Sequence, residues 1–118
     1  MEKIKTFEEA CERLQLDVNK VLPYPGTTDE EEDNTNNFVK AKIITRALNE
    51  GWKPDWDNRN EEKWYPWFKM GAGFGFSAAA YDSWYSSATA GSRLAFRDSD
   101  TAKYAAETFT EIYRKLLN

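Results

Sequence analysis

Apolar residues recur at two different periods along the 118-residue chain. Phe7, Ala10, Cys11 and Leu14 fall three and four positions apart, which predicts a helix over residues 7–15. Thr6 followed by Glu9 forms a capping-box pattern in front of it, each side chain suited to an otherwise unpaired backbone N–H. Asp17 is placed to cap a short turn, VNKVL, closed by Pro23. Phe38, Ala41, Ile44 and Leu48 repeat the helical spacing, and Val39, Ile43 and Ala47 widen the stripe. These predict a helix over 33–49, with Gly51 as its left-handed C-cap. Ala102, Ala105, Ala106, Phe109, Ile112, Tyr113 and Leu116 mark a third helix over 100–117. Asp98-Ser99-Asp100 supplies its start, and Glu111 and Lys115 stand in the favourable i,i+4 order.

Between the second and third helices the period shortens. KWYPWFKM (63–70), GFGFSAAAY (73–81) and SRLAFRD (92–98) read as three short strands joined by glycine-containing turns. Pro66 cannot donate to a ladder, so the first strand is expected at an edge or with a bulge. Leu94 and Phe96 alternate with Arg93, Ala95 and Arg97, which predicts one face on the core and one in water. WKPDWDNRNEE (52–62) reads as an ordered loop. In PYPGTTDEEEDNTNN (23–37) prolines, glycine and five consecutive acids form a loop, the acids lying before or in the first turn of the second helix. The sequence therefore predicts one α+β domain over 1–118, with three main helices on a short three-stranded antiparallel meander. It contains no internal repeat and no sustained heptad.

Composition changes the picture by subtraction. The chain has no histidine and one cysteine. A Ser-His-Asp or Cys-His constellation, an imidazole base, a thiolate zinc cage and an internal disulfide are therefore all excluded. Cys11 is expected to be buried as a small hydrophobe, its pKa raised by Glu8, Glu9 and Glu12, and fits a reducing compartment. With no apolar run near 18 residues and no apolar leader core, the chain reads as cytoplasmic, without a membrane partner. The net charge of −4 is uneven: residues 1–33 carry four basic and ten acidic side chains, and the rest carry twelve basic and ten acidic. The balance disfavours a polyanionic partner but leaves room for a locally positive face.

Several motifs invite chemistry and fail on spacing. Gly71-Ala72-Gly73-Phe74-Gly75 lacks the lysine and hydroxyl of a phosphate loop, and Phe76 stands where a dinucleotide fingerprint needs its third glycine. A turn leading into a strand that glycine lets pack closely on bulky neighbours is the simpler reading. Asp55, Asp57 and Asn58 begin like a calcium loop, but Arg59, Asn60 and Pro66 occupy its fifth, sixth and twelfth positions. Local Asx bonding is expected instead, and no metal or cofactor site. The acidic run 29–33 reads as a solvated face or cap, with docking of a basic partner as the alternative. Glu61, Glu62 and Asp82 are candidates for paired-carboxylate hydrolysis only by elimination.

The aromatic residues carry the functional question. Eleven of the eighteen lie within residues 52–85, where four basic and five acidic side chains nearly balance. Most are expected in the core. Those left outside would serve protein contact, or stacking of single-stranded nucleic acid. The strings GWKPDW, WYPWFKM and GSRLAF, with the TFEEACERL opening and the KYAAETFTEIYRKLL close, resemble a family of small proteins from gut anaerobic bacteria and their phages or integrated elements. That family has no activity to transfer. The resemblance implies a mobile-element setting and a bacterial host.

The expectation is thus a non-enzymatic accessory protein acting through protein–protein contact or self-association. Its surface would combine Trp52, Lys53, Asp55, Trp56 and Arg59 with exposed strand aromatics. The runner-up is single-stranded nucleic-acid binding by Trp64, Trp67 or Phe76 with Arg93 and Arg97. A carboxylate hydrolase is third.

Overall fold

A computed structural model describes residues 3–22, 28–58, 60–82 and 92–117, with backbone alone at 80–82 and 92. Among them are five helices and two strands: α1 (Phe7–Arg13), α2 (Val18–Val21), α3 (Asp29–Asn49), β1 (Lys63–Lys69), β2 (Gly75–Asp82), α4 (Ser99–Thr108) and α5 (Thr110–Leu117). The arrangement is mixed helix and strand. α3 packs between α1 and α5, and α4 lies against both strands.

The start signals act much as the sequence predicts. The Thr6 hydroxyl accepts the Glu9 N–H at 3.1 Å, but the Glu9 carboxylate reaches back to Lys5 N–H (2.6 Å). Asp17 and Asp98 cap α2 and α4 through the N–H groups of Asn19 (3.0 Å) and Thr101 (2.7 Å). α3 begins four residues before the predicted boundary because Thr28 is the cap, its hydroxyl accepting from Glu31 N–H at 3.1 Å. The acids from Asp29 onward therefore lie inside the helix, its first turn complementing the N-terminal dipole. At the other end the left-handed cap is Glu50 (φ 50°, ψ 46°), not Gly51, which follows at φ 92°.

Two predicted elements are corrected. The helix expected over 100–117 is broken at Phe109 (φ −114°, ψ 35°). There the Thr110 hydroxyl donates to the carbonyls of Ala106 (2.9 Å) and Glu107 (3.1 Å), a back-bond that bends helices. The apolar stripe continues through the bend, so α4 faces the sheet and α5 faces α3. The third strand expected over 92–98 does not form either, and among the described residues the sheet has two strands, not the three of the expected meander. Ser92–Leu94 winds into a 3-10 turn, leaving one isolated bridge in which Trp64 and Phe96 exchange N–H to carbonyl bonds of 2.9 and 2.7 Å. On the far side of that segment the Asn49 side chain does what a strand would. Its Nδ2 donates to Ala95 O (3.0 Å) and its Oδ1 accepts from Arg97 N–H (3.2 Å). Ala95, expected in water, is consequently buried.

β1 and β2 pair antiparallel from Lys63↔Asp82 to Lys69↔Gly75, with a bulge between Trp67 and Phe68, one residue beyond Pro66. Gly71 turns the hairpin at φ 89°. Gly73 and Gly75 meet no bulky neighbour: a Cβ at Gly75 would find nothing within 4 Å, so the expected close packing there is absent.

The core draws on every helix but α2. Ala10, Ala41, Ala47, Ala102 and Ala105 are buried where helices approach closely, around Ile4, Phe7, Cys11, Ile44, Leu48, Phe96, Phe109 and Tyr113. The rings of Phe74, Phe68 and Tyr113 form a continuous stack, with centroid separations of 5.1 and 4.9 Å, and tie the hairpin to α5. Burial, with the Glu8 carboxylate adding to it, pushes the Cys11 thiol up as expected. No helix among the described residues is long and apolar enough to cross a membrane.

Candidate functional site

The loop from Trp52 to Glu62 is held by its own polar side chains. Asp55 and Asn58 accept N–H bonds from Asp57 and Asn60, each at 3.0 Å, as Asx bonding predicts. The Glu61 carboxylate accepts Asp55 N–H at 2.7 Å. Its other contact is Lys63, whose side chain is only 1% exposed. The Lys63 ammonium sits 3.3 Å from Glu61 Oε1, 3.4 Å from the carbonyls of Asn58 and Glu61, and 5.1 Å from the centre of the Trp56 ring. A buried cation thus fixes one tryptophan in place, over the start of β1.

Trp56 so held forms one wall of a trench beside α3. The trench encloses about 750 Å³ and opens to solvent along its length. α3 lines it through Val39, Lys42, Ile43 and Arg46, joined by Leu16 and Val21 from the N-terminal segment and by Trp52, Pro54 and Trp56 from the loop. Lys42, Arg46, Lys53 and Arg93 line it, and among the described residues no carboxylate does. None of these four cations has an ion pair among the described residues; Lys42 lies instead 5.3 Å from the Phe38 ring centre. The trench is the locally positive face that the charge balance of residues 34–118 left room for.

The candidate residues therefore part company. Trp52, Lys53, Trp56 and Arg93 come together in the trench. Asp55 lies in the same loop with its carboxylate turned to the Asp57 N–H, and Arg59 is outside the described residues. Trp64 packs on the core, whereas Trp67, on the opposite face of β1, is 63% exposed. Arg97 is engaged at the C-terminus of α3, where it donates to Asn49 O (3.3 Å) and pairs with Glu50 (3.1 Å) and Asp98 (3.4 Å). The stacking platform of Trp64, Trp67 and Phe76 with Arg93 and Arg97 is thus not assembled on one face. Of the three carboxylates, Glu61 belongs to the Lys63 knot, Glu62 is exposed, and the side chain of Asp82 is outside the described residues.

Sequence reasoning missed Lys42 and Arg46, which read as the polar side of an amphipathic helix. One signal was present: they stand four residues apart, a like-charge helical pair that weakens a helix unless something anionic lies over it. Arg46 has an acid at i+4, but Glu50 turns to Arg97.

No protein-family model, curated protein or solved structure matches the chain. The resemblance to mobile-element proteins rests on its sequence strings alone.

Proposed function

We propose that this protein is a non-enzymatic binding protein that works through protein–protein contact, with the α3 trench as its contact surface. The observation that carries the reading is the trench lining: two tryptophans, apolar residues of α3, and four cations without an ion pair among the described residues. Tryptophan and arginine are the side chains that most often dominate binding energy at interfaces. The knot at Lys63 holds the tryptophan loop before any partner arrives, which lowers the ordering cost of association. An open trench suits a segment of another protein better than a small molecule, which pockets enclose almost completely. The cations ask for acidic side chains on that segment. A phage or mobile-element setting in a bacterial host follows from the sequence resemblance only.

Long polyanions fit less well. The face of α3 that carries Lys42 and Arg46 leads, about three to five turns away, to the acids of its first turn, which would repel a continuous phosphate backbone. The test is affinity capture from bacterial lysate with immobilised wild type, Trp56→Ala, and Lys42→Glu/Arg46→Glu. A protein retained by wild type and lost from both variants is the expected result. If neither a lysate protein nor a second copy of the chain is held through these residues, the reading fails. A fluorescence change with labelled oligothymidylate at low salt, abolished by Lys42→Glu/Arg46→Glu, would replace protein by nucleic acid.

A further inference from the structure

We infer that the protein seated in the trench is a second copy of this chain, in a two-fold dimer with the α3 helices antiparallel. The inference rests on the trench being a protein-binding surface, as proposed above, and names its partner. It starts from the distribution of charge along α3. Asp29, Glu30 and Glu32 stand at one end with no ion pair among the described residues, and Lys42 and Arg46 stand toward the other, equally unpaired.

Helical geometry places these charges on one face. Glu32 and Arg46 are each seven residues from Val39, close to two full turns and roughly 10 Å in either direction. All three therefore share the side of the helix that borders the trench. A two-fold axis through Val39, perpendicular to α3, sets each Glu32 opposite the Arg46 of its mate, with Lys42 one turn nearer the axis. It also carries the first turn of the mate's α3, with Asp29, toward the C-terminal end of α3, where Asn49 lines the trench. Closed dimers require a surface complementary to itself, and a helix face acidic at one end and basic at the other meets that condition only when antiparallel. A parallel pair would set like charges together. The apolar contact at the axis would be Val39 of both copies, beside the Trp52 and Trp56 that line each trench.

The test is the solution mass as a function of concentration and salt. Light scattering of the full chain, from micromolar to millimolar, should show a rise from 13.7 kDa toward twice that mass at low ionic strength, receding at high salt. Glu32→Arg and Arg46→Glu should each weaken the dimer about tenfold or more, since symmetry counts each reversal twice. Combined, Glu32→Arg/Arg46→Glu should restore it. A second route does not depend on charge. Val39→Cys should give an interchain disulfide on air oxidation, which the wild type, with Cys11 buried, does not. A chain that stays at 13.7 kDa throughout, a dimer indifferent to both reversals, or a Val39→Cys protein without the covalent dimer overturns the inference. If such a monomer still loses a lysate partner on Trp56→Ala, only the dimer is overturned; if it captures nothing, both readings fall.

Discussion

Glu61→Ala and Lys63→Met should differ sharply in cost, although they remove the two halves of one ion pair. Lys63 is 1% exposed and Glu61 21%. Removing the carboxylate leaves a buried ammonium with two carbonyls at 3.4 Å and one aromatic ring, and an orphaned Asp55 N–H. Loss of one partner from a buried pair costs about 3–5 kcal/mol. Methionine at position 63 removes the charge that has to be compensated and keeps most of the volume under Trp56. Glu61 then retains the Asp55 N–H and some access to water. The remaining losses are the cation–π contact, about 2 kcal/mol for a desolvated cation, and the two 3.4 Å bonds to the Asn58 and Glu61 carbonyls, long enough to add little. The expected gap between the variants is therefore about 1–3 kcal/mol in favour of Lys63→Met. Urea unfolding followed by circular dichroism, with the two slopes compared so that only midpoints differ, measures it. Should Lys63→Met cost as much as Glu61→Ala, the bonds to the Asn58 and Glu61 carbonyls, and not charge compensation, hold the loop.

Phe109→Ala should cost about 3–5 kcal/mol by the same assay, because the ring is buried at the junction of α4 and α5; a loss below about 1 kcal/mol would mean the site collapses around the change. Tyr113 presents the reverse case: its hydroxyl is buried and makes no well-formed hydrogen bond among the described residues, with only the Thr45 hydroxyl, itself bonded to Ala41 O, beside it, so Tyr113→Phe should gain up to about 1–3 kcal/mol, and any loss of stability would show that the hydroxyl is bonded after all. Burial also pushes the Tyr113 phenol up, so stability below tyrosine's ordinary value is unaffected and falls as the pH rises above it, where only the unfolded chain ionises. That alkaline fall should be shallower in Tyr113→Phe. Asp98 titrates in the opposite sense: burial works against its charge, yet Thr101 and the Arg97 guanidinium together hold its carboxyl below the usual range. Its contribution is complete above about pH 4 and is lost as the pH falls through the lower folded value, so the advantage of wild type over Asp98→Asn should vanish in acid; an advantage that persists there would refute the assignment.

Much of the helical framework was legible because its determinants are local. Thr6, Asp17 and Asp98 are recognisable as caps from their neighbours alone, and the stripes on α1, α3 and the C-terminal helices depend only on spacing. What escaped depends on distant partners. Nothing in the alternation of Leu94 and Phe96 reveals that Asn49, nearly fifty residues earlier, takes up the backbone of Ala95 and Arg97. The break at Phe109 left no mark on the apolar stripe, since Phe109, Ile112, Tyr113 and Leu116 continue it in phase; only the Thr110 hydroxyl records it. The trench was half legible. The tryptophan loop stood out by composition, whereas Lys42 and Arg46 became conspicuous once their acidic neighbours were seen to be committed elsewhere.

The bend at Phe109 also decides how the molecule comes apart. α4 packs mainly on the hairpin and α5 mainly on α3, with Phe109 joining the two helices and the Phe68–Tyr113 stack linking the hairpin to α5. The hairpin, with only two strands, cannot persist alone in water. Lifting it strips the face of α4, and a displaced α4 pulls on α5 and exposes α3. Hydrogen exchange in β1, α5 and the C-terminal half of α3 should therefore report one shared opening.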